Sequence, residues 1–156
     1  MHQETHKNTQ TETQTEIIIS GTKVARRLRA SLHGQVQELS ARGVIPKLGV
    51  ILVGGNPPSQ IYVKYKVRAA DEIGIKTEIH RFSSDVKLDA LYACVDQMNA
   101  DPDTHGILVQ LPLPEHLSVA EAWSVVERVD PDKDVDGLHP INFGRIGVTS
   151  SPEQPL

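Results

Sequence analysis

Three side chains with chemical potential stand close together in the stretch KLGVILVGGNPPSQIYVKYKVRAADEIGIK, residues 47–76. They are a hydroxyl at Ser59, a phenol at Tyr62 and an amine at Lys66, at steps of three and four. Such spacing places all three on one face if the segment is helical. A lysine amine relays a proton where part of it is neutral near pH 7, and desolvation favours that neutral form. A phenol offers a flat face to an aromatic ligand. A row of this kind is ordinarily a solvated helix face, so its meaning depends on what the rest of the chain brings to it.

The elements that position the row are legible from periodicity. Leu48 to Val53 is apolar, short and β-branched, which reads as a buried strand. Gly54-Gly55-Asn56-Pro57-Pro58 breaks it, and helical spacing resumes. The row thus begins just past a strand's C-terminal end, where ligands bind in open α/β sheets. Upstream, Ile17-Ile18-Ile19 reads as an edge strand or a segment packed on the domain. Ser20 can cap a helix whose Val24, Leu28, Leu32, Val36 and Leu39 form an apolar stripe. Gly43 ends that helix, Pro46 prevents its restart, and Gly74 caps the next.

Lys76 to Phe82 alternates as a second strand. Leu88, Leu91, Val95 and Met98 predict a helix to about Ala100, and Asp101-Pro102-Asp103 a loop. Gly106 to Val109 reads as a third buried strand with Gln110 at its exit. Leu111-Pro112-Leu113-Pro114 is irregular, because two prolines remove donors and fix φ. Ser118 caps a short helix holding Trp123, Val125 and Val126. PDKDVDGLHPINFGRIG, from Pro131 to Gly147, reads as a loop with turns at Asp136-Gly137 and His139-Pro140. The β-α-β-α-β-α order predicts an α/β fold, a small parallel sheet with helices on both faces.

Composition narrows the function classes. The 156 residues suit about one domain. A net charge of −4 gives no global basic footprint for nucleic acid, and aromatics at 4% give little base stacking. No apolar run approaches a membrane span. A single cysteine, Cys94, excludes an internal disulfide, suits a reducing, cytoplasmic setting and reads as a buried structural thiol. Residues 1–16 are polar, Thr/Gln-rich and neither a secretory signal nor a good transit peptide, so a disordered tail is expected. Residues 17–147 are the expected domain, and 148–156 an irregular end.

The motifs then converge. ILVGGNPPSQIYVKYK resembles the VGxxxxSxxYVxxK pattern of the methylenetetrahydrofolate dehydrogenase/cyclohydrolase family. GILVQLPLP matches a second run of that family, and PDKDVDGLHPINFGRI resembles its PxKDVDGxxxxNxGxL. Their order and separations also fit. The resemblance implies oxidation of methylenetetrahydrofolate with NADP or NAD, followed by hydrolysis of the methenyl product to 10-formyltetrahydrofolate. It further implies tetrahydrofolate derivatives as ligands, a place in one-carbon metabolism and purine biosynthesis, and a homodimer, with no nucleic acid or membrane partner. By resemblance, Lys66 is the catalytic lysine, Gln110 bonds to it, Tyr62 stacks on or orients the folate, Ser59 supports the site and Asp136 anchors the pterin.

The chemistry of those residue types is consistent with the implied roles. Water attacking a cationic methenyl carbon must lose a proton, which an amine can accept. An amide such as Gln110 orients that amine without pairing its charge. A carboxylate accepts well from the N–H donors of a pterin edge.

The family's second half, a Rossmann-type cofactor domain with a glycine-rich turn and a Pro-Cys-Thr-Pro segment, is not found in these 156 residues. Gly54-Gly55 is not G-x-G-x-x-G, so no cofactor-binding residue is expected here. The chain is accordingly expected to be the folate-side domain of a truncated or split member, impaired as a dehydrogenase alone. Loss of the family's returning last helix is expected to leave an apolar surface uncovered.

Other readings are weaker. Tyr-x-x-x-Lys also marks short-chain dehydrogenases, but those need an N-terminal glycine-rich turn, and Gly21, Gly34 and Gly43 lie in a helical context. Asp132, Asp134 and Asp136 mimic the start of an EF-hand, but its twelfth position is Phe143 rather than glutamate. Asp132 therefore reads as a solvated turn residue and Asp134 as a cap or brace for the loop. The seven histidines show no metal-ligand spacing, and His139 reads as a turn contact. Lys64 and Arg68 read as solvent-facing. The rival from another class is a non-catalytic folate-binding remnant.

Overall fold

A computed structural model describes residues 19–148, the side chains of 147 and 148 excepted. The expected tail over 1–16, Ile17, Ile18 and the segment 149–156 lie outside the described residues. Helix α1 (Gly21–Ala41) leads to strand β1 (Lys47–Val53), helix α2 (Pro57–Glu72) and strand β2 (Lys76–Phe82). Helix α3 (Leu88–Ala100), strand β3 (Gly106–Val109), helix α4 (Val119–Glu127) and helix α5 (Pro140–Val148) complete the order.

The three strands form one parallel sheet in the order β2-β1-β3. β1 is central because both its faces are apolar, and Gly49 to Val53 are all buried. Side chains alternate across it. Ile51 and Val53 point to the larger core with Leu91, Val95, Ile107 and Val125, beneath α3 and α4. Val50 and Leu52 point the other way, to Val63 of α2 and Leu108. β2 is an edge strand with Glu78 and Arg81 exposed. The outer side of β3 is covered by Lys133–Val135: Ile107 donates to the Lys133 carbonyl at 2.7 Å, and Asp134 bridges to Ile107 in parallel.

Local chemistry explains the element ends. The Ser20 side chain accepts from Lys23 N, and Asn56 caps α2 by accepting from Ser59 N. Ser118 and Glu121 form a reciprocal capping box on α4. Gly43 and Gly74 adopt φ of +84° and +88°, the left-handed turn that closes α1 and α2. Cys94 is buried, and burial pushes its thiol above the ordinary value.

Two expectations need correction, and one, the α1 stripe, is sharpened. Ile19 joins no strand and is 82% exposed. The α1 stripe forms, but among its members only Val36 is buried; Val24, Leu28 and Leu32 are exposed at 46, 58 and 42%. Periodicity dictates an apolar face and not what covers it. The Arg29–Glu72 ion pair at 3.2 Å links α1 to α2. Finally, residues 140–148 form α5 rather than loop. Pro140 is preset for a helix's first turn, and His139 caps it: its Nδ1 accepts from Ile141 N and its carbonyl from Phe143 N. Gly144 and Gly147, weak helix formers, hide this from propensity. Val148 closes α5 and so belongs to it rather than to an irregular end.

Candidate active site

The candidate residues gather at the C-terminal edge of the sheet. α2 enters from β1 through the Gly54–Asn56 turn, and Ser59, Tyr62 and Lys66 follow at successive turns. Burial divides them. Ser59 is 2% exposed at the foot of the helix, Tyr62 is 58% exposed, and Lys66 is half-buried. Gln110 directly follows β3, and its backbone N–H donates to the Ile51 carbonyl at 3.0 Å.

Lys66 Nζ donates to Gln110 Oε1 at 3.4 Å. The amide's orientation is set by its other end, since Gln110 Nε2 donates to the Leu111 carbonyl at 2.8 Å. That leaves Oε1 for the amine. The peptide that follows, Leu111-Pro112, is cis. Lys66 thus meets a neutral acceptor rather than a carboxylate.

Asp136 reaches the same edge by a different route. Lys133–Val135 runs beside β3 in the same direction, so Asp136 comes level with the strand's end. It lines a small crevice with Ile107, Val109, Asp134 and Leu138, and Val109 precedes Gln110. Asp134 accepts from Gly137 N at 3.1 Å, His139 N at 2.9 Å and Asn142 Nδ2 at 3.1 Å. Burial pushes the Asp134 carboxyl up, but the donors from His139, Asn142, Leu138 and Asp136 outweigh it and hold the group below the ordinary carboxylate value. Asp132 is exposed and Lys64 and Arg68 face solvent, Arg68 paired with Glu72 at 3.3 Å. His139 makes the expected turn contact and also meets the Glu127 carbonyl at 3.1 Å.

A family profile for the tetrahydrofolate dehydrogenase/cyclohydrolase catalytic domain matches residues 19–136. The chain belongs to this family. The bifunctional protein FolD of Geobacillus thermodenitrificans is 48% identical over 131 residues, 84% of this chain and 45% of that protein. Its namesake in Bacillus subtilis is 46% identical over 132 residues, 85% of this chain and 46% of its own. The crystal structure of the bifunctional FolD enzyme from Campylobacter jejuni superposes with a TM-score of 0.78 at 39% identity, covering 82% of this chain and 44% of that one. A Trypanosoma brucei FolD structure, complexed with NADP and an inhibitor, reaches 0.79 at 32% identity and covers 85% and 44%. The chain therefore spans about half the length of the curated relatives it matches.

A nicotinamide cofactor, which the family implies, does not fit the strand–helix turn of this domain. Pro57 and Pro58 carry no N–H, Ser59 N is taken by Asn56 Oδ1, and Gln60 N is taken by the Asn56 carbonyl. The first turn of α2 has no donors left for a pyrophosphate. A wide groove lies between α2 and β2, on Ile61, Val67, Ile75 and Ile79, and no candidate site residue lines it. Among the described residues, no cluster of His, Cys, Asp or Glu could hold a metal ion. No helix among them is long and apolar enough to cross a membrane.

Sequence spacing alone misses Lys133. Its Nζ donates to the carbonyls of Met98, Asn99 and Asp101 at 3.0, 2.7 and 2.8 Å, pinning the start of the Asp136 loop to the end of α3. Its partners are backbone carbonyls of a distant segment, which no side-chain pattern in the PDKDVDG run marks.

Proposed function

We propose that residues 17–147 form the folate-binding catalytic domain of a methylenetetrahydrofolate dehydrogenase/methenyltetrahydrofolate cyclohydrolase, with Lys66 central to the hydrolytic step. The observation that carries this reading is the contact of Lys66 Nζ with the oriented Gln110 amide, 3.4 Å apart at the ligand-binding edge of the sheet. Family membership supports the reaction class.

The substrate's methenyl carbon is an amidinium cation held between N5 and N10. Water attacks it, and Lys66, as the neutral amine, accepts the proton released as the C–O bond forms. The C–N5 bond then breaks and leaves a formyl group on N10. Of the water's two protons, one ends on N5 and one in solvent. Gln110 accepts from the amine without placing a negative charge beside it. Tyr62, largely exposed one turn before Lys66, offers its ring face to the folate. Asp136 accepts N–H donors of the pterin edge, and Ser59 supports the helix beneath.

The oxidative step takes its hydride acceptor from a nicotinamide. No residue described here is assigned to that transfer. The reading extends to tetrahydrofolate derivatives as ligands, a homodimeric, cytoplasmic enzyme and a role in purine biosynthesis. A single buried thiol supports the reducing compartment. The test uses the purified 156-residue chain with a reduced folate and with methenyltetrahydrofolate, followed by loss of methenyl absorbance. Saturable binding with hydrolysis above the buffer rate, and no NADP reduction on methylenetetrahydrofolate, is expected. Absence of folate binding sinks the reading, and NADP reduction sinks its cofactor half.

A further inference from the structure

Asp136 stands on a loop that has no regular structure of its own, yet pterin recognition requires a carboxylate held in one place. The surrounding bonds explain how it is held. Before it, Lys133 is anchored by three carbonyls at the end of α3, and Asp134 is bridged to Ile107 of β3. After it, Gly137 turns the chain back with φ of +67°. The two arms of the turn meet at one group, the Asp134 carboxylate. One oxygen receives Gly137 N, and the other receives His139 N and Asn142 Nδ2. Asn142 also donates to the Pro131 carbonyl at 2.7 Å, which closes the loop's base. Only Val135 and Asp136 lie between the pinned residues, and both are exposed.

We infer that Asp134 is a positioning residue for Asp136: its carboxylate closes the 134–139 turn and so presents Asp136 at the end of β3. The inference rests on the reading of Asp136 as the pterin carboxylate. Asp134 itself has its lone pairs turned to backbone and Asn142 donors, so it is not offered as a substrate contact. An asparagine at 134 keeps the size but turns one acceptor into a donor. It then faces either Gly137 N or the His139–Asn142 pair with the wrong polarity.

The experiment is a double-mutant cycle on the 156-residue chain, with 5-formyltetrahydrofolate as the titrated probe. The variants are Asp134→Asn, Asp136→Ala and the two together. Each single variant is expected to raise the dissociation constant about ten-fold, the scale of one charge-assisted hydrogen bond. Adding Asp134→Asn to Asp136→Ala is expected to change it less than about two-fold, since nothing remains to be positioned. Asn142→Ala leaves the carboxylate intact and removes one of its donors together with the bond to the Pro131 carbonyl. It is expected to repeat the pattern with a smaller loss, and carries the cycle if Asp134→Asn does not fold. Independent, multiplying losses beside a weakened Asp136→Ala overturn the positioning role alone. An unchanged Asp136→Ala overturns the pterin reading, and this inference falls with it.

Discussion

Replacing Lys66 by methionine separates chemistry from folding at the candidate site. Methionine keeps an unbranched side chain of similar length and removes only the amine. What the fold loses is one hydrogen bond, Lys66 Nζ to Gln110 Oε1. At 3.4 Å it is longer than the roughly 2.7–2.9 Å of a strong charge-assisted contact, and both groups are only half-buried. Gln110 keeps its other bond to the Leu111 carbonyl. The stability cost is therefore below about 1 kcal/mol. General acid–base groups contribute about 10²–10⁴-fold to rate, or about 2.7–5.4 kcal/mol of barrier. Methenyl hydrolysis by Lys66→Met is expected to fall by at least about a hundred-fold. Folate affinity and the urea unfolding midpoint stay close to the parent's. The assay pairs decay of methenyl absorbance with a folate titration and a urea melt on the same sample. A rate within about ten-fold of the parent refutes the proton-relay role. An equal collapse of stability shows instead that the lysine is structural. Gln110→Glu is the complementary change, because a carboxylate beside the amine favours the ammonium. Methenyl hydrolysis at neutral pH is then expected to fall about ten-fold or more, and an unchanged rate separates Gln110 from the relay.

Gly106→Ala places a Cβ 2.5 Å from Val135 Cγ1, in the residue next to Asp136. Val135 is half-exposed and has room to turn, so a cost near the lower end of overpacking, about 1 kcal/mol, is expected together with weaker folate binding. Unchanged affinity in that variant would separate the β3 edge from the binding loop. Leu91→Ala opens the core under the sheet and is expected to cost about 2–5 kcal/mol, whereas Leu28→Ala on α1 costs under about 1 kcal/mol. Those two leucines are 0% and 58% exposed, and equal costs by denaturant titration would mean that the α1 stripe is covered in solution. The Asp134 carboxyl lies below its ordinary value in the folded state. Its contribution is present above the unfolded carboxylate pKa, about 3.9, and is lost as pH falls through the folded value. The stability gap between the parent and Asp134→Asn is thus expected to narrow between pH 6 and pH 3 in urea melts, and a constant gap contradicts the assignment.

The sequence by itself determined the order of elements through α4 and the residue types at the site. Strand β1 announces itself because a run from Leu48 to Val53 has no polar position to expose, which only a central strand satisfies. Helices α2 and α3 follow from their helical spacing, and α2 also from the Gly74 turn that closes it. The row of Ser59, Tyr62 and Lys66 is likewise local, fixed by the helical repeat.

What the sequence could not supply were relations between distant segments. Helix α5 is hidden because its two glycines argue against a helix, while its cap is a histidine tied to the Glu127 carbonyl at the end of α4. The α1 stripe shows its period but not its partner, because amphipathicity records a need for cover without naming the cover. Ser59 and Tyr62 share a helix face by spacing, yet one is buried and the other open, which depends on what lies under α2. The approach of Lys66 to Gln110 spans 44 residues, and only the parallel pairing of β1 with β3 brings those ends together. The Asp134 carboxylate gathers donors from the Gly137–Asn142 segment. The sequence marks Asp134 as a brace for its loop but not which donors it takes, because hydrogen bonds at about 3 Å depend on where the backbone finally lies.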